Sequence, residues 1–510
     1  MKNLQQFAGA LILGGCLMFS AVPVALAQDT ANSLLYDGKY REAIRASGSI
    51  LSTTPDDVEH LHAFARAVLQ TGDVDAARDA YIRAINTGGE NTYIAASELA
   101  RTELKFGDRG FGFKQLRDVY TRWQQRPADA PALDSSELVA IGKAVQDLAR
   151  TDAELNNVAL NIFEQAISAN AKDPDAHVAI GELLLLRNNN TEALEAFRDA
   201  LKVDPVHPPA LLGVARSQYF DRSTGSIEAV RACLDSRPNY IDARVLLARV
   251  HTDLEDYKTA RKEIERALEV NADSAEALTL LSAIEYLEGD RKASQRTRSR
   301  VRKAAPGYVE MYETIADIVA QNRHYTDAAR FAAVGVNMDP ATAWRSYSIL
   351  GINRLRTGDT RSARSALERS FGGDPYDVRT KNTLDLLDRL DSEFATLESR
   401  RFSLIADKKE IALLAPKLLP LAEAAYDRMA DRYGYAPRAS TSSVCRLGLS
   451  WPWIHHRPAP SASSTGARCF GTKSHIRFIW ACPDNGCLAG LPKGSPCSKN
   501  DGRAKAGVTV

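Results

Sequence analysis

Zinc-dependent peptide hydrolysis needs two imidazoles one helical turn apart with a glutamate between them, so that both reach one ion while the carboxylate polarises its water. No His-Glu-x-x-His occurs in these 510 residues. His455 and His456 are adjacent, face different sides of any helix and lack the glutamate. His475, Cys482, Cys487 and Cys497 offer soft ligands, but their gaps of 6, 4 and 9 residues lack the short paired knuckles of structural zinc sites. Gly107, Gly110 and Gly112 could cradle a phosphate only if a strand entered and a Lys-Ser or Lys-Thr followed; neither is present, and a turn inside a repeat fits better. Lys493, Gly494 and Ser495 lack the preceding glycine spacing. His60 and His62 cannot share a helical face, and His251 and His324 stand alone, which suits surface or packing roles. No nucleophile, base and orienting acid assemble by spacing. The expectation is a protein without catalytic residues, metal or cofactor, and not an enzyme.

The elements available to position any site follow from a period. Pro55, Pro174, Pro205, Pro238, Ala272, Pro306, Pro340 and Pro375 close successive stretches, the last six steps being 31, 33, 34, 34, 34 and 35 residues. That is the period of a helical solenoid. Within it, Gly38-Lys39-Tyr40 followed by Ala43 and Ile44 is echoed by Gly72-Asp73-Val74 with Ala77 and Tyr81, by Glu255-Asp256-Tyr257 with Ala260, and by His324-Tyr325 with Ala328. Apolar residues at i, i+3, i+4 and i+7 on either side of a polar turn predict two amphipathic helices per repeat. Ala43, Ala77, Ala193, Ala260 and Ala328 fall where the paired helices must cross closely.

These residues resemble the tetratricopeptide repeat family, in roughly ten copies between about Ala31 and Asp377; the fullest match is Ile180, Gly181, Ala193, Phe197, Ala200, Leu201 and Pro205. The resemblance implies an all-α, right-handed superhelical solenoid of helix-turn-helix repeats that binds proteins or peptides in its concave groove. The copy from about Asn91 to Pro127, extra residues near Asn156 and a loose turn from Asp221 to Ser226 depart from the pattern. The first helix of each repeat is expected to line the groove, which places Glu59, Arg66, Gln70, Asp242, Arg249, Asp253, Tyr286, Glu310, Asp317 and Gln321 there. This lining is mixed and polar, without the regular Asn and Lys arrangement that clamps a C-terminal carboxylate in some family members. A second surface is the run Arg291, Lys292, Arg296, Arg298, Arg300, Arg302 and Lys303, which spreads around one helix and reads either as a solvated convex face or as a site for an anionic partner.

The termini differ from the middle. Lys2 precedes an apolar run from about Phe7 to Val24, and Ala25-Leu26-Ala27 before Gln28 suits a signal peptidase, so residues 1–27 read as a signal peptide cleaved after Ala27 and the protein as exported to the periplasm or cell envelope. Leu13-Gly14-Gly15-Cys16 also has the form of a lipobox, and an uncleaved anchor is a third reading; membrane association follows only from one of these two. Nucleic acid is not expected of an exported chain. The repeats occupy residues 28–380. Residues 381–437 read as a capping helix through Leu384, Leu387, Leu390, Phe394 and Leu397, a strand through Phe402, Leu404 and Ala406, and a helix from Lys408 to Tyr435.

Residues 438–510 hold ten Lys and Arg against two Asp, leaving 55 bases and 62 acids before them, so the chain's net +1 averages +8 and −7. Five of the seven cysteines lie here: Cys445, Cys469, Cys482, Cys487 and Cys497. Of a disulfide module, a zinc site and a disordered or out-of-frame continuation, the near absence of acids and the abrupt enrichment in Cys, Trp, Arg, Ser and Pro favour the last. The strand and helix before it, ending in Arg432-Tyr433-Gly434-Tyr435-Ala436-Pro437, resemble the opening of a peptidase MA-like metallopeptidase domain of the gluzincin group. That resemblance implies the alternative to a binding scaffold: a truncated or frameshifted zinc peptidase that lacks its catalytic helix.

Overall fold

The computed structural model describes residues 31–87, 92–221, 225–434 and 443–446, the last four by backbone alone. Two compact bodies divide between Ile318 and Val319. In the first, residues 31–36 and α1 (Tyr40–Thr53) open a series of helical hairpins: α2 (Val58–Thr71) with α3 (Val74–Thr87), α4 (Tyr93–Phe106) with α5 (Arg109–Gln124), α6 (Ser135–Leu148) with α7 (Leu155–Ala169), and α8 (Pro174–Leu186) with α9 (Asn190–Val203). The series continues with α10 (Pro208–Phe220) and α11 (Ser226–Ser236), α12 (Ile241–Asp253) and α13 (Tyr257–Val270), α14 (Ala275–Leu287) and α15 (Arg291–Ala304), and α16 (Glu310–Gln321), within which the division falls.

Several of the turns between paired helices pass through one left-handed residue. Glycine takes that conformation without a Cβ clash, at Gly38, Gly72 and Gly289, but Asn188 and Glu255 adopt it too, at φ 58° and 62°. At Gly72 the turn returns its own N–H to Leu69 and the next N–H to Val68, satisfying the last carbonyls of α2. Gly107 sits in the α4–α5 turn as expected, whereas Gly110 and Gly112 lie inside α5, because Asp108 caps that helix immediately after Gly107. A side chain at Gly112 would come within 2.9 Å of the Leu104 backbone nitrogen, so its role is close helix approach.

The crossing alanines are as tightly held as their spacing predicts: Ala43, Ala77, Ala193 and Ala260 are fully buried. Large residues fill the complementary gaps. Phe163 and Phe197 are buried completely, and each lies over a glycine of the first helix of its own hairpin, Gly142 and Gly181. Successive first helices also touch one another, α4 to α6, α6 to α8, α8 to α10, α10 to α12 and α12 to α14. The first-helix layer is thereby the tight side of the array, and its unpacked residues share one face.

In the second body, α17 (Tyr325–Met338) precedes the hairpin of α18 (Trp344–Arg356) and α19 (Thr360–Gly373), and Ala328 is again fully buried. Next, α20 (Val378–Glu393) sets Leu384, Leu387 and Leu390 against Ile352, Leu355 and Leu367, the expected capping contact. It stops at Glu393, earlier than its leucine spacing suggested. Phe394 and Leu397 lie instead on β1 (Phe394–Glu398), because this stretch pairs its backbone antiparallel with β2 (Phe402–Asp407). The expected alternation holds in β2: Phe402, Leu404 and Ala406 are buried, the latter two against Ile411 and Ala415 of α21 (Ile411–Tyr433). β3 (Ser443–Arg446) then joins β2 in parallel, so the helical array is followed by a three-stranded sheet.

Candidate functional site

A small residue recurs in the first helices at Ala65, Ala100, Gly142, Gly181, Ala215, Ala248 and Ala316, where helix packing leaves no room. The next residue points the other way, out of the packed layer. Those positions are Arg66, Arg101, Lys143, Glu182, Arg216, Arg249 and Asp317, all exposed or half-buried and all ionisable. Seven residues earlier, two turns up the same face, stand Glu59, Asp175, Asp242 and Glu310, and four residues later Gln70, Lys105, Asp147, Asp253 and Gln321. The face of the first-helix layer is thus a lattice of acids and bases.

Neighbouring hairpins pair these charges. Arg101 Nε lies 2.8 Å from Asp147 Oδ2, Arg66 Nη2 3.6 Å from Glu98 Oε1, and Arg216 Nη1 3.7 Å from Glu182 Oε1. Arg249 Nε reaches Asp253 Oδ1 at 3.0 Å, and Tyr219 Oη donates to the other oxygen of that carboxylate at 2.6 Å. Enclosure by protein works against the charge on Glu98, but Arg66, Arg101 and Lys143 more than offset it and hold the carboxyl below its usual range. Asp175 is likewise depressed: enclosure opposes its charge, and the His207 hydrogen bond with Lys143 and Arg66 prevails. At Asp242 enclosure wins; Arg216 helps the carboxylate while Glu276 and Glu182 repel it, and its pKa is raised. Burial, then the Arg66 charge, pushes His62 down to about 4, so it is neutral beside the lining at physiological pH.

The residues expected in the groove divide as follows. Arg249, Asp253 and Asp317 come together, with Asp317 close enough to act on both Arg249 and Tyr219. Arg66 joins the Glu98 cluster, Asp242 the Glu182–Glu276 cluster, and Glu310 pairs with Arg150. Glu59 is exposed and accepts a hydrogen bond from Asn32 at 3.0 Å, and Gln70 is half-buried. Gln321 is exposed and belongs to the second body. Tyr286 does not share this face: it is buried, with the Arg291 guanidinium 3.5 Å from its ring centroid, because it lies one position short of the register and turns toward its own hairpin partner. Glu98, Arg101, Lys143, Asp147, Asp175, Glu182, Arg216, Tyr219 and Glu276 complete the face and were missed. Carrying the same register into the intervening repeats finds most of them, the longer connections before α6 and α7 being what obscures the spacing.

The basic run lies on α15 and divides in two. Arg291 stacks on Tyr286, Arg298 donates to Ser294 Oγ at 2.7 Å, and Arg300 bonds Asp273 at 2.8 Å. Lys292, Arg296, Arg302 and Lys303 are exposed. Among the described residues, no three His, Cys, Asp or Glu side chains gather in a way that could hold a metal ion, and no helix is long and apolar enough to cross a membrane.

Residues 29–92 and 149–219 match one tetratricopeptide repeat model, and residues 224–284 match another. The protein CTR9 homolog of Arabidopsis thaliana is 26% identical over 148 residues, which are 29% of this chain and 14% of that protein. The matched stretch is thus a small part of the length of that relative. Among solved structures, yeast Tom70 aligns with a TM-score of 0.37 at 14% identity, over 72% of this chain and 88% of that one. The APC/C hetero-tetramer Cut9-Hcn1 aligns with a TM-score of 0.31 at 12% identity, over 71% of this chain and 97% of that one.

Proposed function

The chain carries tetratricopeptide repeats, and from that premise we propose that it is a non-enzymatic scaffold that holds extended polypeptide segments carrying both charge signs against the first-helix face of residues 58–318. The observation that carries this reading is the lattice of ion pairs whose members are all at least partly open to solvent, such as Arg66–Glu98 with side chains 45% and 26% exposed. Pairs of this kind contribute about 0–1 kcal/mol each. An incoming segment can exchange them for its own charges and for backbone contacts at small cost, which a dry core of fixed pairs would not allow. Specificity then resides in the order of charges along the face, read by Arg216, Arg249, Asp242 and Asp253.

Export is part of this proposal and rests on the leader alone, which lies outside the described residues. Intact-mass analysis of the protein recovered from its host should give a chain beginning at Gln28; a chain that retains Met1 and fractionates with the cytosol would remove the envelope from the account. The zinc-site cysteines and the region where a peptidase helix would follow also lie outside the described residues, and the peptidase alternative gains no support from the families matched.

The binding test uses unstructured peptides selected from a random library on the purified chain. Arg216→Glu with Arg249→Glu should weaken capture of those peptides at least about tenfold at low salt, with the loss shrinking as salt is raised. Lys262→Glu with Arg296→Glu, on second helices, should leave capture unchanged. The reverse pattern would move the site to the other face.

A further inference from the structure

The array in the first body returns on itself. The turn of each of the first three hairpins meets the loop that leads out of the hairpin five later, and the fourth turn, at Arg150, meets the start of α16. Tyr36 Oη donates to Asp204 at 3.0 Å and its ring lies 3.9 Å from the Arg237 guanidinium, while Asn239 Nδ2 donates to the Gly38 carbonyl at 3.4 Å. Gly72 sits against Asn271, where a Cβ would come within 2.5 Å of the amide oxygen. Lys105 Nζ reaches Glu276 at 2.5 Å, the Gly307 N–H donates to the Lys105 carbonyl at 3.1 Å, and Arg109 donates to the Gly307 carbonyl at 2.9 Å. Arg150 pairs with Glu310 at 2.8 Å.

We infer that this edge-to-edge seam is a latch that governs sideways access of a polypeptide to the charged lining. The inference deepens the proposed function and rests on it for what passes through; the seam itself stands on its contacts. Their chemistry suits an openable closure. They are polar, few per hairpin and individually replaceable by water, in contrast to the apolar contacts between adjacent hairpins, so the weakest way to deform the body is to part the seam and leave every hairpin intact. Lys105–Glu276 and Arg150–Glu310, with side chains 31% to 42% exposed, are open to screening by salt.

Gly307 provides the cleanest probe. Its φ lies outside the left-handed region, so any residue can adopt its conformation, yet a Cβ there would meet the Leu104 carbonyl oxygen at 2.3 Å. That atom is backbone and cannot swing away. In the full-length chain, Gly307→Val should enlarge the radius of gyration by X-ray scattering and speed amide exchange over residues 305–310 at least about tenfold, with the helical signal and exchange in α7 unchanged. Association of the selected peptides should quicken in step. If Gly307→Val does not fold, Arg109→Met removes the bond to the Gly307 carbonyl and serves the same readouts. Unchanged radius and exchange in the folded variant would overturn the seam. An opened seam with an unaltered association rate would overturn its gating role. Capture lost through Arg216→Glu and Arg249→Glu reports on the lining separately, so failure of the binding site and failure of the latch give different results.

Discussion

Phe197, fully buried on α9, is pressed against Gly213 of the following hairpin so closely that a Cβ there would stand 2.3 Å from its ring. The same ring covers Gly181 of its own hairpin. One side chain therefore couples two repeats, which is the physical meaning of a solenoid stabilised by its neighbours.

Gly213→Ala tests that coupling. Alanine favours a helix over glycine by about 1 kcal/mol, but the methyl overpacks the ring at a cost of roughly 1–3 kcal/mol. The expected net effect is destabilisation, seen as a lower urea midpoint, with exchange accelerated in both α9 and α10. Stabilisation would mean that Phe197 has room to move.

Glu255 closes α12 in the left-handed conformation at φ 62°, where Gly289 performs the same service one repeat later. Relieving the Cβ strain with Glu255→Gly should raise stability by about 1 kcal/mol, measurable by thermal unfolding. A loss of stability would show that the Glu255 side chain supplies more than the strain costs.

Acid should weaken the lining before the hairpins. Enclosure opposes the charge on Glu310, and Arg150 and Arg109 overcome it, so its folded pKa lies below the unfolded value. Such a group contributes stability that is fully present above the unfolded value of about 4.3 and is lost as pH falls through the folded pKa. Glu98 and Asp175 act in the same sense. Glu310→Gln should therefore lower stability at neutral pH, and the gap to the parent chain should close on acidification below about pH 4.3. A gap independent of pH would mean that the charge is not what Arg150 recognises.

The repeats were legible because a 34-residue period, crossing alanines and proline stops all restate one local geometry. The side of the first helices that turns away from the packing was legible in register for Arg66, Asp242, Arg249, Asp253, Glu310 and Asp317, since the residue after a buried small residue must face outward. Tyr286 is buried instead, because a shift of one position rotates a side chain by a quarter turn or more of the helix. The seam was invisible: Tyr36–Asp204 and Arg109–Gly307 join residues 168 and 198 apart, and no periodicity within a repeat encodes where the array meets itself. The end of α20 was misplaced because Phe394 and Leu397 satisfy a helical spacing as well as a strand, and pairing with β2 decided between them.

In the second body, Glu423 organises the β1–β2 turn, accepting from Ser399 Oγ and the Arg401 N–H, each at 2.7 Å, and pairing with Arg401 Nε at 3.2 Å. Glu423→Ala frees the turn and takes one of two carboxylates from the Arg401 guanidinium, Asp427 remaining at 2.5 Å, at an expected cost of about 1–3 kcal/mol. Faster exchange confined to β1, β2 and α21, with α18 and α19 unaffected, would bear this out; exchange quickened throughout would show that the sheet supports the last hairpins.

The most direct measurement places a photo-crosslinking amino acid at Arg216 on the lining or at Arg296 on a second helix, and maps where a selected, bound peptide becomes attached. The account predicts attachment from position 216 that is competed by unlabelled peptide, and none from position 296. Attachment from 296 with none from 216 would contradict a binding face formed by the first helices.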